Sequence, residues 1–252
     1  MTKGIDLNFD GGEGCDDAAL MPHVTTVNVA CGAHAGDEAT MRATVRLAVA
    51  HGVSVFAHPS YPDRGGFGRR RMTLLPSEVE RLVREQISAL SAIAQDEGVA
   101  LSGVKPHGGL YHAAASDEET ARALVSAARA ADPRLILVTS PGSKLLAAAA
   151  GLGMRAAAEG FADRGYDAGG SLVARGTKGA LVETPDQAAA QALSLARDFV
   201  AVAVDGTRIP VTVETICLHG DTPGAAANAS AVRAALEGAG FALRALAGAR
   251  PA

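Results

Sequence analysis

The chain has 252 residues, and this length suits one domain with a single large core. Hydrophobic residues make up 48% and charged residues 20%, which is typical of a globular protein. The formal net charge of −4 has the wrong sign for binding nucleic acid, so we expect no nucleic-acid partner.

Seven short apolar runs predict β-strands, and the stretches between them predict helices. The first helix is expected after Asp37 as N-cap. Two later helices are expected at Ser-x-x-Glu capping boxes that begin with Ser77 and Ser116. A fourth helix starts at Thr184, which a proline follows, and a last one spans residues 226–237. The predicted strands are residues 5–9, 24–29, 53–57, 101–105, 135–139, 154–158 and 211–218.

This alternation predicts an α/β fold with a parallel sheet that is buried on both faces. Polar, reactive side chains follow one strand after another, which is typical of a TIM-barrel-like (β/α) barrel with its active site on one rim. Seven strands instead of eight predict a distorted barrel. We expect one β/α-barrel domain over residues 1–252. Residues 160–183 are expected to form an excursion over the rim, in which 172–174 pair with 180–182 as a small hairpin.

The first strand and its exit contain the strongest group of candidate site residues. Period-two spacing puts Asp6, Asn8 and Asp10 on one face of the strand, which is the interior in a closed barrel. An unpaired carboxylate there costs on the order of several kcal/mol, so the row needs a cation, a substrate or a hydrogen-bond network. The alternative is a capped strand exit, with Asp10 and Glu13 in solvent.

The fourth strand ends at Lys105, and His107 follows on the same side. A buried lysine loses its proton more easily, so Lys105 is a candidate electrophile, base or Schiff-base nucleophile. The loop after His58 contains arginines that suit a carboxylate or a phosphate, although an ion pair between Asp63 and Arg64 is an equally good explanation for part of it. The other candidates at strand ends are Asn28, His34, Arg69, Glu159, Asp163, Arg164, His219 and Asp221.

Cofactor signals are weak in this sequence. A divalent metal held by His and Asp side chains on the rim is an open alternative, but no His-x-x-x-His pair is present. Neither a P-loop nor a strand-linked Gly-x-Gly-x-x-Gly is present, so a partner protein or an unfamiliar site is expected to handle any ATP. Three cysteines without Cys-x-x-Cys spacing and the absence of a long apolar run favour a cytoplasmic protein without a membrane partner.

Six segments together resemble the lactam-utilisation (LamB/YcsF) family, the A subunits of 5-oxoprolinase. The resemblance extends from Asp6 to about Gly240, with departures at Ala33, where an aromatic residue is expected, and Glu38, where proline is expected. The segments are DLNFDGGE at 6–13, NVACGAHAGD at 28–37, AHPSYPDRGGFGRR at 57–70, KPHGGLY at 105–111, EGFADRGY at 159–166 and HGDTP at 219–223.

The resemblance implies a distorted barrel of the glycoside hydrolase/deacetylase type. It also implies ATP-dependent opening of a small-molecule lactam, 5-oxo-L-proline (pyroglutamate), to L-glutamate, with ATP hydrolysed to ADP and phosphate. Two partners, 5-oxoprolinase subunits B and C, are implied as well. A lactam is a resonance-stabilised amide, so phosphorylation of its oxygen would assist ring opening.

These expectations combine into one mechanistic hypothesis with two open alternatives. Lys105 neutralises the developing oxyanion, and a base among four catalytic candidates directs water at the activated carbonyl. The alternatives are a stand-alone, metal-dependent deacetylase or amidohydrolase, and a non-catalytic subunit that binds the lactam and passes it on. The candidate bases are Asp10, His58, His107 and His219, and the candidates for the substrate carboxylate or phosphate are Arg64, Arg69 and Arg164. Besides these arginines, the residues expected to bind the substrate are Asp6, Asn8, Glu13, Asn28, His34, Glu159, Asp163 and Asp221.

Overall fold

The computed structural model describes residues 3–248 and 250–251 and has a closed barrel of parallel strands at its centre. Each strand pairs with the next along the chain, and the last returns to pair with the first, from Asp6 opposite Thr215 to Asp10 opposite His219. The predicted seven-stranded barrel is therefore confirmed. Its strands are β1 (Gly4–Gly11), β2 (Thr26–Ala30), β3 (Ser54–His58), β4 (Gly103–Val104), β5 (Ile136–Thr139), β6 (Ala156–Phe161) and β7 (Thr215–His219).

Eight α-helices and two 3-10 turns surround the barrel in the described part of the chain. The helices are α1 (Asp17–Leu20), α2 (Glu38–His51), α3 (Pro76–Asp96), α4 (Gly108–Ser116), α5 (Glu118–Ala131), α6 (Lys144–Gly151), α7 (Pro185–Ala196) and α8 (Ala225–Gly238). The 3-10 turns are Met21–His23 and Arg64–Gly66, and the short outer strands are Val99–Ala100 with Arg250–Pro251, Val200–Val202 with Arg208–Pro210, and Ala242–Leu243 beside β1. Among these helices, none combines the length and apolarity needed to cross a membrane.

Two predicted helix starts are confirmed and two are wrong by a residue or so. Asp37 and Thr184 are N-caps, each accepting a hydrogen bond from a backbone N–H three residues on. The capping boxes predicted at Ser77 and Ser116 do not form. Helix α3 begins one residue before Ser77 because a proline fits its first turn, and α5 is capped by Asp117 directly after Ser116.

The hairpin predicted within residues 160–183 is wrong. Leu172 pairs with Tyr166, and Leu181 pairs with Arg164. Residues 164–166 therefore lie between the two segments that were expected to pair with each other. This arrangement carries residues 172–175 across the mouth of the barrel, where they line its cavity.

The interior of the barrel has an apolar layer at one end and a polar layer at the other. The apolar layer comprises Phe56, Ile136, Val138 and Ala157, and the segment Leu246–Ala247 packs against it. The Ser54 hydroxyl, at the start of β3, donates to the Ala247 carbonyl at 2.7 Å and ties this segment to the amino-terminal end of the barrel. The polar layer opens towards the carboxyl ends of the strands, where the cavity lies.

Gly103 in β4 packs against the apolar layer so closely that there is no room for a larger side chain. A β-carbon at Gly103 would overlap the Phe56 ring and the Ile136 carbonyl. We expect Gly103→Ala to destabilise the protein by about 1–3 kcal/mol through overpacking, measured as the urea midpoint of unfolding. In the control, Gly151→Ala at the end of α6, the new β-carbon meets nothing within 4 Å and stability should change little. Equal stability of Gly103→Ala and the wild type would contradict tight packing of this layer.

Candidate functional site

Lys105, a residue that is only 2% exposed, has its ammonium group within the polar layer. Its Nζ is 2.9 Å from Asp10 Oδ1, 2.9 Å from Glu159 Oε1 and 3.1 Å from Cys217 Sγ. Burial alone would lower the pKa of Lys105, but the nearby charges, above all that of Asp10, raise it well above its ordinary value. Lys105 is therefore a fixed cation, and the expectation that it loses its proton easily is wrong because acidic groups surround it.

The two carboxylates beside Lys105 have opposite pKa shifts. Burial alone would raise the pKa of Asp10, but the charges of His58 and Lys105 hold it well below its ordinary value. Burial raises the pKa of Glu159, and the charge of Lys105 only partly opposes this. Asp10 is thus the firm anionic partner of Lys105 at neutral pH.

Two asparagines orient these carboxylates from within the barrel wall. Asn28 Nδ2 donates to Asp10 Oδ1 at 2.9 Å and to Asn8 Oδ1 at 2.8 Å. Asn8 Nδ2 donates to Glu159 Oε1 at 3.1 Å and to Thr215 Oγ1 at 2.6 Å. Since both amides are buried and fully engaged, they position the charged groups and do not themselves face the cavity.

His58 and His107 contact each other at the cavity floor. His58 Nε2 and His107 Nδ1 are 3.0 Å apart. The other nitrogen of each ring contacts a backbone carbonyl, His58 Nδ1 that of Lys105 at 2.7 Å and His107 Nε2 that of Phe67 at 2.9 Å. Phe67 has a φ of 55°, a strained left-handed conformation for a non-glycine residue, and its carbonyl fixes the His107 ring.

Glu13 joins these imidazoles to a third one. Its Oε1 lies 2.8 Å from His34 Nε2 and 3.2 Å from His107 Nδ1. The rings of His34 and His107 stack with centroids 3.8 Å apart and planes within 5°. Burial lowers the pKa of His34 to about 4 and also lowers that of His107, whereas Asp10 overcomes burial and raises the pKa of His58.

A separate pair, Asp163 and His219, borders the same cavity. Asp163 is fully buried, and its carboxylate accepts hydrogen bonds from the backbone N–H of His219 at 2.7 Å and the Thr222 hydroxyl at 2.8 Å. His219 Nδ1 is 3.0 Å from Asp163 Oδ1, which leaves Nε2 directed towards the cavity, 3.9 Å from Asp10 Oδ2. Asp163 therefore sets the orientation and the tautomer of His219.

Arginines surround the mouth of the cavity, whose volume is about 230 Å³. Arg69 and Arg175 share one carboxylate, that of Asp221, each at 2.9 Å. Arg164 is largely buried and donates to the carbonyls of Val173 and Ala180, and it forms no salt bridge within the part of the chain described. The mouth thus carries more positive than negative charge and suits an anionic group.

Eight of the residues predicted from the sequence line this cavity, and eight do not. Those that line it are Asp10, Glu13, His58, Arg69, Lys105, His107, Arg164 and His219. Those outside the lining are Asp6, Asn8, Asn28, His34, Arg64, Glu159, Asp163 and Asp221. The residues of this second group do not reach the cavity, so they are not placed to contact a substrate there directly. Most of them form hydrogen bonds or ion pairs with residues that line the cavity, among them Asn8, Asn28, Glu159, Asp163 and Asp221.

Asp6 and Arg64 depart furthest from their predicted roles. Asp6 points inwards at the amino-terminal half of β1, where the hydroxyls of Thr25, Thr26 and Thr215 satisfy its carboxylate. Arg64 donates to the carbonyls of Gly32 and Gly36 and so ties two rim loops together. The two-residue periodicity of a β-strand correctly predicted that the Asp6 side chain faces the barrel interior. It did not predict how far below the rim this side chain lies.

The sequence interpretation missed several residues that line the cavity. They are Pro106, Gly108, Tyr111, His112, Phe161, Leu172, Val173, Ala174 and Arg175. Tyr111 is the last residue of the segment 105–111 and His112 follows it, so their proximity to Lys105 along the chain was an available signal. Arg175 had none, because the path of the excursion over the mouth depends on tertiary contacts.

The sequence of this barrel matches a known family over almost its whole length. The model of the LamB/YcsF family matches residues 5–250. The chain belongs to the LamB/YcsF family. A member from Chloroflexus aggregans, named as the A subunit of 5-oxoprolinase, is 49% identical over 95% of this chain and 98% of its own. Another member with the same name, from Methylococcus capsulatus, is 49% identical over 98% of both chains.

Solved structures place this LamB/YcsF member among deacetylase-like barrels. The lactam utilization protein from Thermus thermophilus has a TM-score of 0.90 at 43% identity, covering 96% of this chain and 100% of that one. A family 4 carbohydrate esterase from Streptomyces lividans has a TM-score of 0.52 at 14% identity, covering 98% of this chain and 96% of that one. The second likeness extends to the fold alone, and it confirms the deacetylase-type barrel expected from the sequence.

The Asp163–His219 pair predicts a specific dependence of stability on pH. Burial alone would raise the pKa of Asp163, but the charge and hydrogen bonds of His219 lower it. A carboxyl with a lowered pKa stabilises the fold above its unfolded pKa of about 3.9, and this contribution is lost as the pH falls through the folded pKa. We expect Asp163→Asn to cost about 3 kcal/mol at pH 7 and progressively less below about pH 4.

The measurement is urea unfolding of both proteins at neutral, mildly acidic and strongly acidic pH. Asp186→Asn, an exposed substitution in the first turn of α7, is the control and should show only a small difference throughout. If the stability gap between wild type and Asp163→Asn does not change with pH, the buried carboxylate is not the source of the effect.

Proposed function

We propose that this chain is the A subunit of an ATP-dependent 5-oxoprolinase, which opens 5-oxo-L-proline to L-glutamate. The observation that carries the proposal is the buried Lys105 ammonium beside Asp10, at the floor of a small cavity with arginines at its mouth. Relatives that match nearly the whole chain and are named as A subunits of 5-oxoprolinase support the choice of substrate.

The size and charge of the cavity support a small anionic substrate. At about 230 Å³, the cavity is smaller than the roughly 300–1,000 Å³ of sites for drug-sized ligands. 5-Oxoproline has one carboxylate and one lactam on a five-membered ring. The carboxylate suits the arginine mouth, through Arg164 or Arg175, while the lactam reaches down to Lys105.

The reaction needs activation because amide resonance protects the ring. In the proposed sequence, the γ-phosphoryl group of ATP is transferred to the lactam oxygen, and water adds to the ring carbon. The C–N bond then breaks, the nitrogen takes up a proton, and a second water releases phosphate from the resulting acyl phosphate. Lys105 stabilises the negative charge that develops on the carbonyl oxygen when the second water adds to the acyl phosphate.

His219 is the base that the contacts favour among the four candidates. Its Nδ1 is held by Asp163, and its Nε2 faces the cavity and can accept a proton from water. In His58 and His107, by contrast, both ring nitrogens already have close polar partners. Asp10 is engaged by Lys105 and holds its proton weakly, which makes it a poor base and a good electrostatic partner.

The nucleotide step is assigned to partner subunits. The sequence has no P-loop and no dinucleotide-binding glycine motif. We therefore propose that two partners, subunits B and C, bind ATP and phosphorylate the lactam, and that this chain carries out the ring opening.

Reconstitution tests the proposal directly. Glutamate release from 5-oxoproline and ATP is measured for the purified chain alone and then with subunits B and C from the same organism. We expect release only when all three are present. No release under either condition would reject the proposal and favour a metal-dependent amidohydrolase. Such an enzyme would be active without ATP and would lose its activity when a chelator is added.

Within the reconstituted complex, we expect Lys105→Met to lower kcat by about 10²–10³-fold, as for the loss of one oxyanion-stabilising group. Lys144→Met, on the exposed first turn of α6, is the matched control and should leave the rate unchanged. Because Lys105 balances buried carboxylates, folding of the variant is checked by circular dichroism. His219→Gln, at a partly exposed position, provides a second variant that should also lose turnover.

Full activity of both Lys105→Met and His219→Gln would overturn the assigned roles. A change in substrate affinity at an unchanged maximal rate would identify a protein that only binds and delivers the lactam.

A further inference from the structure

Glu13, His58 and His107 converge on one point at the cavity floor, and the ring-opening scheme gives them no step. Glu13 Oε1 is 3.2 Å from His107 Nδ1 and 3.7 Å from His58 Nε2, and the two nitrogens are 3.0 Å apart. The three side chains come from the exit of β1, the end of β3 and the start of α4. The barrel therefore brings together three potential ligand atoms that are far apart in sequence.

The hydrogen bonds on the far side of each ring determine where the lone pairs lie. A carbonyl oxygen can only accept, so His58 Nδ1 and His107 Nε2 carry the hydrogens that they donate to the carbonyls of Lys105 and Phe67. In the neutral rings, His58 Nε2 and His107 Nδ1 are consequently both acceptors. They face each other and the Glu13 carboxylate, and three converging acceptors repel one another unless a cation lies between them.

The spacing of the three atoms fits a tetrahedral metal ion. With zinc–nitrogen and zinc–oxygen distances near 2.0–2.2 Å, neighbouring ligand atoms are about 3.3 Å apart. The observed separations of 3.0, 3.2 and 3.7 Å bracket this value. The backbone carbonyls behind both rings are the kind of outer partner that ligating histidines usually have.

The local charge balance also favours a cation. Lys105 pairs with two buried carboxylates in this region, those of Asp10 and Glu159. The carboxylate of Glu13, whose side chain is only 7% exposed, contacts histidines and forms no salt bridge with a lysine or arginine within the described chain. A divalent ion beside Glu13 would offset charge that Lys105 alone does not balance.

His34 has a different role from the other two histidines. Its ring is stacked parallel to that of His107, so an ion in the plane of His107 lies well outside the plane of His34. A histidine lone pair lies in the plane of its ring, and His34 is therefore poorly placed as a ligand to the same ion. Its contact with Glu13 Oε1 at 2.8 Å makes it a positioning residue for that carboxylate.

We propose that Glu13 Oε1, His58 Nε2 and His107 Nδ1 bind one divalent transition-metal ion, with zinc as the best fit to two imidazoles and one carboxylate. Glu13, His58 and His107 all line the cavity, so the remaining coordination position faces it. Three protein ligands with one open position are the pattern of a zinc site that contacts a ligand or water. The competing occupant is a proton shared between the two imidazoles.

Metal binding is measured on the full chain after removal of any histidine tag. The protein is stripped with chelator, incubated with Zn²⁺, dialysed and analysed by mass spectrometry for metal content, and affinity is obtained by titration against a chromogenic chelator. Co²⁺ replaces Zn²⁺ as a spectroscopic probe of the ligand geometry. We expect one ion per chain in the wild type and a d–d spectrum typical of four-coordinate cobalt.

The variants separate ligands from the positioning residue. Glu13→Gln and His107→Ala should lose stoichiometric binding, whereas His34→Gln should retain the ion with about 10–100-fold weaker affinity. His51→Gln, at the exposed end of α2, is the matched control and should bind like the wild type. Thermal unfolding of each variant without metal shows whether it is folded, and Glu13→Gln is the mildest change in shape.

Less than a tenth of an ion per wild-type chain, or the same Zn²⁺ affinity in the double variant Glu13→Gln/His107→Ala, would overturn the proposal in favour of the shared proton. This result is distinct from failure of the proposed function. Normal glutamate release by a complex whose A chain takes up no Zn²⁺ would reject the metal site alone, and stoichiometric Zn²⁺ binding without any release would reject the lactam reaction alone.

Discussion

The ion pair between Lys105 and Asp10 inside the barrel is the interaction on which the rest of the site depends. An isolated carboxylate in a barrel interior would be protonated or would destabilise the fold. Here, the charges of His58 and of the Lys105 ammonium lower the pKa of Asp10, and Asp10 in turn raises the pKa of Lys105 and contacts His58. Because every partner is buried, these charges are fixed in position before any substrate arrives, which is the condition for strong electrostatic stabilisation of a reaction.

The barrel makes this arrangement possible by its topology. Parallel strands place their carboxyl ends at one rim, so residues from β1, β3, β6 and β7 meet although they lie far apart along the chain. The apolar layer around Phe56 covers the amino-terminal end of the barrel and limits the approach of water from that end. The polar layer can therefore hold several charges at a low local dielectric.

The cavity has positive charges at two depths, arginines at its mouth and a lysine at its floor. At the mouth, Arg164 is largely buried, whereas Arg69 and Arg175 remain accessible to solvent and are held by one carboxylate, that of Asp221. At the floor, a compact lysine lies among carboxylates, beside a group of imidazoles. In the proposed function, the mouth selects and orients the anionic substrate, and the floor acts on its lactam group.

The sequence by itself determined the seven strands, their order and the inward face of the first one, because apolar periodicity and strand–helix alternation are local properties. It also predicted that Asp10, His58, Lys105, His107 and His219 lie at one rim, because polar residues at successive strand ends meet in a parallel barrel, and all five line the cavity. The six ordered motifs led to the family, which the match over residues 5–250 confirms.

Only the tertiary structure decided the state and role of each group. The cationic state of Lys105 follows from Asp10 and Glu159, which are 95 and 54 positions away in the sequence. The packing of distant segments likewise explains three other positions. Asp6 lies below the cavity, Arg175 lines it, and Glu13 contacts two imidazoles. Local patterns specify which face a side chain takes, whereas its depth, its partners and therefore its charge are set by contacts between segments far apart along the chain.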